Sequence, residues 1–126
     1  MKISEVAARS GLSIDTLRFY ERIGLIDPPP RDAAGRRDYP EEVLTWIGFL
    51  DKLNATGMKQ ADRIRYAALR RQGEASYAER RRMLELHRDV VIARQAELEE
   101  TRALMDRKVE MYRQLEAEAA MEVADV

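Results

Sequence analysis

The sequence predicts a mainly α chain in which four short helices, with a small basic hairpin after the second, precede one long helix that needs a partner. Three observations carry this prediction. Two short stretches of helical apolar periodicity meet at Gly11; a proline run at Pro28, Pro29 and Pro30 leads into Gly35-Arg36-Arg37; and from Ser76 to about Glu118 neither Gly nor Pro interrupts a seven-residue apolar repeat.

Ile3, Val6 and Ala7 recur at helical spacing and end at Gly11, which can turn the backbone without a Cβ penalty. Ser13 is a good N-cap, and Asp15 suits the positive end of a helix dipole, so the second helix should begin at Ile14. Two helices that cross closely require a small residue in the first, a glycine in the turn and apolar residues on the inner face of the second. Ala7, Gly11, Ile14 and Leu17 meet those demands. The second helix then carries Thr16, Arg18, Phe19 and Tyr20 in a mixture of exposed and half-buried positions. Arg18 can pair two donors with a guanine edge, and the hydroxyls of Thr16 and Tyr20 can hold phosphates. Phe19 is expected to belong to the core.

Asp27-Pro28-Pro29-Pro30 must stop helical structure, because consecutive prolines lack donors and fix φ. Asp32-Ala33-Ala34-Gly35 is a plausible turn between two short strands, a wing that would set Arg36 and Arg37 beside the neighbouring groove. Pro40, with Glu41 and Glu42 in the first turn, opens a third helix. Val43, Leu44, Trp46, Ile47, Leu50 and Leu53 form its apolar stripe. Trp46 is therefore read as packing rather than as a ligand platform. Thr56-Gly57-Met58-Lys59 breaks the pattern, and a fourth helix runs to about Gln72, with Gly73 as its stop. Residues 1–72 thus read as a winged helix-turn-helix DNA-binding domain.

Ser76-Tyr77-Ala78-Glu79 has the form of a capping box. After it, Leu84, Val91, Leu98, Met105, Tyr112 and Ala119 recur every seven residues, the mark of a coiled-coil strand over residues 76–118. Such a helix would run on the order of 60 Å, longer than the small globular half can cover. His87, Arg94, Thr101, Lys108 and Leu115 form the second line of the heptad, which is largely polar and leaves the direction of pairing open. Residues 119–126 are expected to fray as an acidic tail.

The formal net charge is −1, yet its distribution is uneven. Residues 1–82 hold 16 Lys/Arg against 12 Asp/Glu, whereas residues 83–126 hold 6 against 11. The basic half is the helix-turn-helix half, as a phosphate-binding surface requires. With no cysteine and a single histidine, His87, disulfides and thiolate metal sites are excluded and no cofactor is implied. No apolar run spans a bilayer and no signal peptide is visible, so a cytoplasmic protein is expected. A catalytic cysteine, a phosphate-binding glycine loop and metal-ligand spacing are all missing, so an enzyme is not expected.

Met1-Lys2-Ile3 through Ala7, Gly11-Leu12-Ser13, Thr16-Leu17-Arg18-Phe19-Tyr20-Glu21, Ile23-Gly24-Leu25-Ile26 and Gly35-x-Arg37-x-Tyr39 together resemble the amino-terminal domain of the MerR family of transcription regulators. Arg36 stands where that family often has an aromatic residue, adding a phosphate-binding charge. The resemblance implies an antiparallel coiled coil in a homodimer and a two-fold symmetric promoter element read through Thr16, Arg18, Tyr20, Arg36, Arg37, Tyr39 and Lys59. It further implies distortion of an over-long promoter spacer so that RNA polymerase can engage. Thr56-Gly57-Met58, Tyr66, Leu69, Gly73, Arg80, Leu84, His87 and Arg88 look like the aldehyde-responsive branch, whose cysteine would fall near Lys52. An unidentified small-molecule effector is therefore left open, with His87, Tyr66 and Tyr112 as the residues to inspect, though each reads first as packed or interfacial. The alternative is an architectural or excisionase-like DNA-bending adaptor, which would have no need of the long helix.

Overall fold

The computed structural model describes residues 1–124, in the order α1 (Ile3–Ser10), α2 (Ile14–Ile23), α3 (Glu42–Ala55), α4 (Gln60–Arg71), a 3-10 turn (Gly73–Ser76) and α5 (Tyr77–Ala124). They form two compact units, one spanning Met1–Glu85 and a second that begins at Leu86.

In the first unit, Gly11 at φ 78° ends α1 and donates its N–H to the Ala7 carbonyl, and the Ser13 side chain caps α2 by accepting from the Thr16 N–H. Val6, Leu17, Leu25, Ile26, Ile47 and Leu50 are each no more than 2% exposed and form the centre of the core with Tyr39, Val43, Trp46, Tyr66 and Ala67. A fully buried side chain of this size contributes roughly 1.5–3 kcal/mol, more than the ~1 kcal/mol of a cap. Leu17 therefore sets where α2 lies, and Ser13 sets where it starts.

The hairpin is smaller than the sequence suggests. Instead of two strands there is a single antiparallel bridge between Arg31 and Arg37. The prolines before it carry no N–H to extend a ladder. Asp32 holds the turn instead, its Oδ1 accepting from the N–H groups of Ala34 and Arg36 at 2.9 Å each.

The capping box does not form. Ser76 already lies in the 3-10 turn and is buried; its hydroxyl donates back to the Leu69 and Gly73 carbonyls, and Glu79 pairs with Arg65. Ser76 is itself the last residue of the 3-10 turn, so it lacks the extended conformation that an N-cap needs.

The second unit is the continuation of α5, which stays helical to Ala124, past the expected end at Glu118. Ala119, Ala120, Met121 and Glu122 are strong helix formers, which explains the extension. Of the tail expected to fray, Asp125 and Val126 lie outside the described residues. Leu98, Met105 and Tyr112 are exposed at the expected seam. Exposed Val90, Leu104 and Met111 precede seam positions by one residue and form a second line that is apolar except at Glu97. At 100° per residue, the polar line of Arg94, Thr101 and Lys108 runs between these two. Leu84, expected as the first seam residue, lies in the first unit, where it is half-buried against the core. No helix among the described residues is long and apolar enough to cross a membrane.

Candidate nucleic-acid interface

Leu17 faces the core from α2, while Asp15, Arg18, Phe19 and Arg22 are exposed. Arg18 has no hydrogen bond or ion pair with any described residue, so its guanidinium fork is free to meet a base edge. Thr16 Oγ1 accepts from the Ser13 hydroxyl at 2.9 Å, which leaves its own proton to donate. Phe19, expected in the core, is 37% exposed and lies under the Arg22 guanidinium, 5.5 Å from the ring centroid. The core place beside it is taken by Tyr20, half-buried against the core cluster. Tyr20 is therefore partly withdrawn from the phosphate-facing role expected of it.

The end of α2 is held from three sides. Gly24, at φ 88°, closes the helix, and the N–H groups of Leu25 and Ile26 both donate to the Tyr20 carbonyl. From α3, the Trp46 indole N–H donates to the Leu25 carbonyl at 2.7 Å. From α4, Arg71 donates to the Gly24 carbonyl at 2.7 Å and pairs with Asp27. The ties from α3 and α4 join residues more than twenty positions apart, so no local sequence pattern signals them.

The hairpin is fixed to α2 through Glu21. Its carboxylate accepts from the Tyr39 hydroxyl and lies 3.5 Å from the Arg37 guanidinium. Tyr39 was expected to touch DNA, but it is 2% exposed, a core residue whose hydroxyl is already committed. Burial, then the hydrogen bond and negative charge of Glu21, push the Tyr39 phenol well above its ordinary pKa, so it stays a neutral donor. The α-amino group of Met1 adds a second clamp, donating to the Tyr39 carbonyl at 2.7 Å and to Asp38 at 2.8 Å. Sequence reasoning missed Glu21 as the hub, although a carboxylate one turn beyond Leu17 was there to be weighed.

Arg36 is exposed and its side chain has no partner among the described residues, whereas Arg37 is half-buried beside Glu21. Lys59 is exposed in an extended conformation immediately before α4. Thr16, Arg18, Arg36 and Lys59 thus offer free donors within the first unit, and Tyr20, Arg37 and Tyr39 support them. Of the three residues to inspect for an effector, each of which reads first as packed or interfacial, Tyr66 is buried in the first unit's core, while half-buried His87 and exposed Tyr112 belong to the second unit. The described residues contain no cluster of His, Cys, Asp or Glu able to hold a metal ion.

Residues 2–39 match the family model described as MerR family regulatory protein. Over 84 residues, 67% of its length, the chain is 39% identical to the HTH-type transcriptional regulator AdhR of Bacillus subtilis, and the match spans 60% of that relative. A MerR family transcriptional regulator from Listeria monocytogenes has a crystal structure that superposes with a TM-score of 0.87 and 34% identity, covering 99% of this chain and 95% of that one. HiNmlR, a MerR family regulator lacking the sensor domain and crystallised on promoter DNA, gives a TM-score of 0.80 and 31% identity over 92% of each chain. With an identity above 30% sustained over almost the whole of both structural relatives, the chain belongs to the MerR family of transcription regulators.

Proposed function

We propose that this chain is a homodimeric regulator that binds a two-fold symmetric promoter element in double-stranded DNA, in the cytoplasm. The observation that carries the reading is α2 itself: it is anchored by Leu17, capped at both ends, and presents Thr16 in its first turn and an unpaired Arg18. A fixed helix with a free guanidinium is what major-groove readout needs. Arg36 on the hairpin and Lys59 at the start of α4 serve as phosphate contacts, which position the protein without reading sequence. Glu21, Arg37 and Tyr39 hold the hairpin in register with α2.

Homodimerisation is supported by the two largely apolar lines along the second unit, from Val90 and Val91 to Met111 and Tyr112, on which Val90, Leu98, Leu104, Met105, Met111 and Tyr112 are exposed. An unpaired helix with so much apolar surface calls for a partner. An antiparallel copy would supply one and bring a second α2 to the other half-site. The same helix weighs against an architectural or excisionase-like adaptor. Distortion of the promoter spacer, which lets RNA polymerase engage, would draw on contacts made only to deformed DNA.

Selection of bound fragments from the host genome tests this reading. Recovered fragments should share a two-fold symmetric element within promoters, and Arg18→Ala should abolish the enrichment. Fragments without a shared element would contradict it.

A further inference from the structure

At the surface of the first unit, lined by none of the candidate DNA contacts, an open cavity of about 460 Å³ lies against α3, α4 and the first turn of α5. Its wall is aromatic. Trp46 and Tyr66 stack with centroids 6.0 Å apart, and Phe49 lies 6.1 Å from Trp46 and 5.8 Å from Tyr66. Two guanidinium groups border it. Arg70 sits 4.2 Å from the Trp46 centroid and makes no hydrogen bond or ion pair with any described residue. Arg80 is held in place by the Ser76 hydroxyl at 3.0 Å and the Gly73 carbonyl at 3.1 Å, with further N–H donors to spare. Glu42 is the one acidic residue in the lining, so the site carries a single net positive charge.

We propose that this cavity is an effector site for a small carboxylate with an aromatic or short aliphatic body. The carboxylate would lie on Arg70 and Arg80, and the body on the aromatic wall. The volume is that of a small-ligand pocket, and a few charged groups at an apolar wall are the usual means of fixing orientation. The Glu42 carboxylate opposes a second negative charge, so a monoanion is favoured over a dianion.

The same residues reach α2. Trp46 donates to the Leu25 carbonyl, and Arg71, next to Arg70, grips Gly24 and Asp27. A ligand that draws Arg70 off the indole acts on the two groups that hold the end of the DNA-reading helix, which gives occupancy a route to DNA affinity. This regulatory half rests on the DNA-binding reading; occupancy of the cavity does not.

Trp46 is the only tryptophan in the chain, so its emission reports occupancy without DNA. The full chain would be titrated with benzoate, phenylacetate and hexanoate, with benzyl alcohol and phthalate as controls, by emission and by calorimetry. At least one monocarboxylate should bind saturably, about tenfold or more tighter than benzyl alcohol and phthalate. Arg70→Ala, an exposed change, should weaken binding about tenfold, and Glu42→Gln should strengthen it. The proposal is overturned if none of the three acids binds, if benzyl alcohol binds as well, or if Arg70→Ala has no effect. It is also overturned if emission responds only to protein dilution, which would mean that a second copy fills the cavity. If a carboxylate binds but leaves DNA affinity unchanged, the regulatory half fails while the DNA-binding reading stands.

Discussion

The Tyr39 hydroxyl donates to the Glu21 carboxylate, linking the root of the hairpin to α2 across 18 positions of sequence. Tyr39 is buried, and Glu21 also faces Arg37, so the pair fixes the hairpin's position rather than touching a ligand. Tyr39→Phe should lower the stability of the DNA-free protein by roughly 1 kcal/mol, the net worth of one such bond. A urea titration checks this. Unchanged stability with weakened DNA binding would place the hydroxyl on the DNA instead.

The same tyrosine carries a pH signature. Its folded-state pKa is raised by burial and by Glu21, so the folded chain holds the proton more tightly than the unfolded one. Its contribution is therefore fully present below the unfolded value of about 10 and is lost as pH rises above it. Stability measured from pH 8 to 11 should fall more steeply for the parent than for Tyr39→Phe. Parallel curves would refute the assignment.

Arg18 and Arg36 should separate cleanly. Removing a base-reading guanidinium costs ~1–3 kcal/mol for the specific site and relaxes specificity there. Removing a phosphate contact weakens all sequences alike and reduces the salt slope by about one. Arg18→Ala should therefore lose specific affinity far more than nonspecific affinity, and Arg36→Ala should lose both equally. Salt-dependent binding to a selected fragment and to a random duplex would reveal the opposite pattern if the roles were exchanged.

On the second unit, Leu104→Asp combined with Met111→Asp should break the proposed dimer. Burying carboxylates costs several kcal/mol each, on the order of a hundredfold or more in dimer affinity. Sedimentation equilibrium should show the parent at twice the subunit mass and the variant as a monomer. A variant that remains dimeric would move the interface elsewhere.

Much of this fold was legible because its signals are local. Gly11, Ser13 and the spacing of Ile14 and Leu17 mark α1, α2 and their turn, and the stripe from Val43 to Leu53 marks α3. What escaped is decided by distant contacts. Phe19 reads as core by its chemistry, yet the core place beside it is filled by Tyr20. Tyr39 looks like a phosphate ligand until Glu21 and Met1 are seen to enclose it. Ser76 has the spacing of a capping box, but the 3-10 turn before it redirects its hydroxyl to Leu69 and Gly73. The line of Val90, Leu104 and Met111 is broken in the sequence by Glu97 and runs beside the polar line of Arg94, Thr101 and Lys108, so its periodicity is weak.

Hydroxyl-radical footprinting of a selected genomic fragment bears most directly on paired recognition by two copies of α2. Two protected windows should appear, related by two-fold symmetry and centred about one or two helical turns apart, and both should vanish together with Arg18→Ala. A single window, or protection indifferent to Arg18, would contradict it.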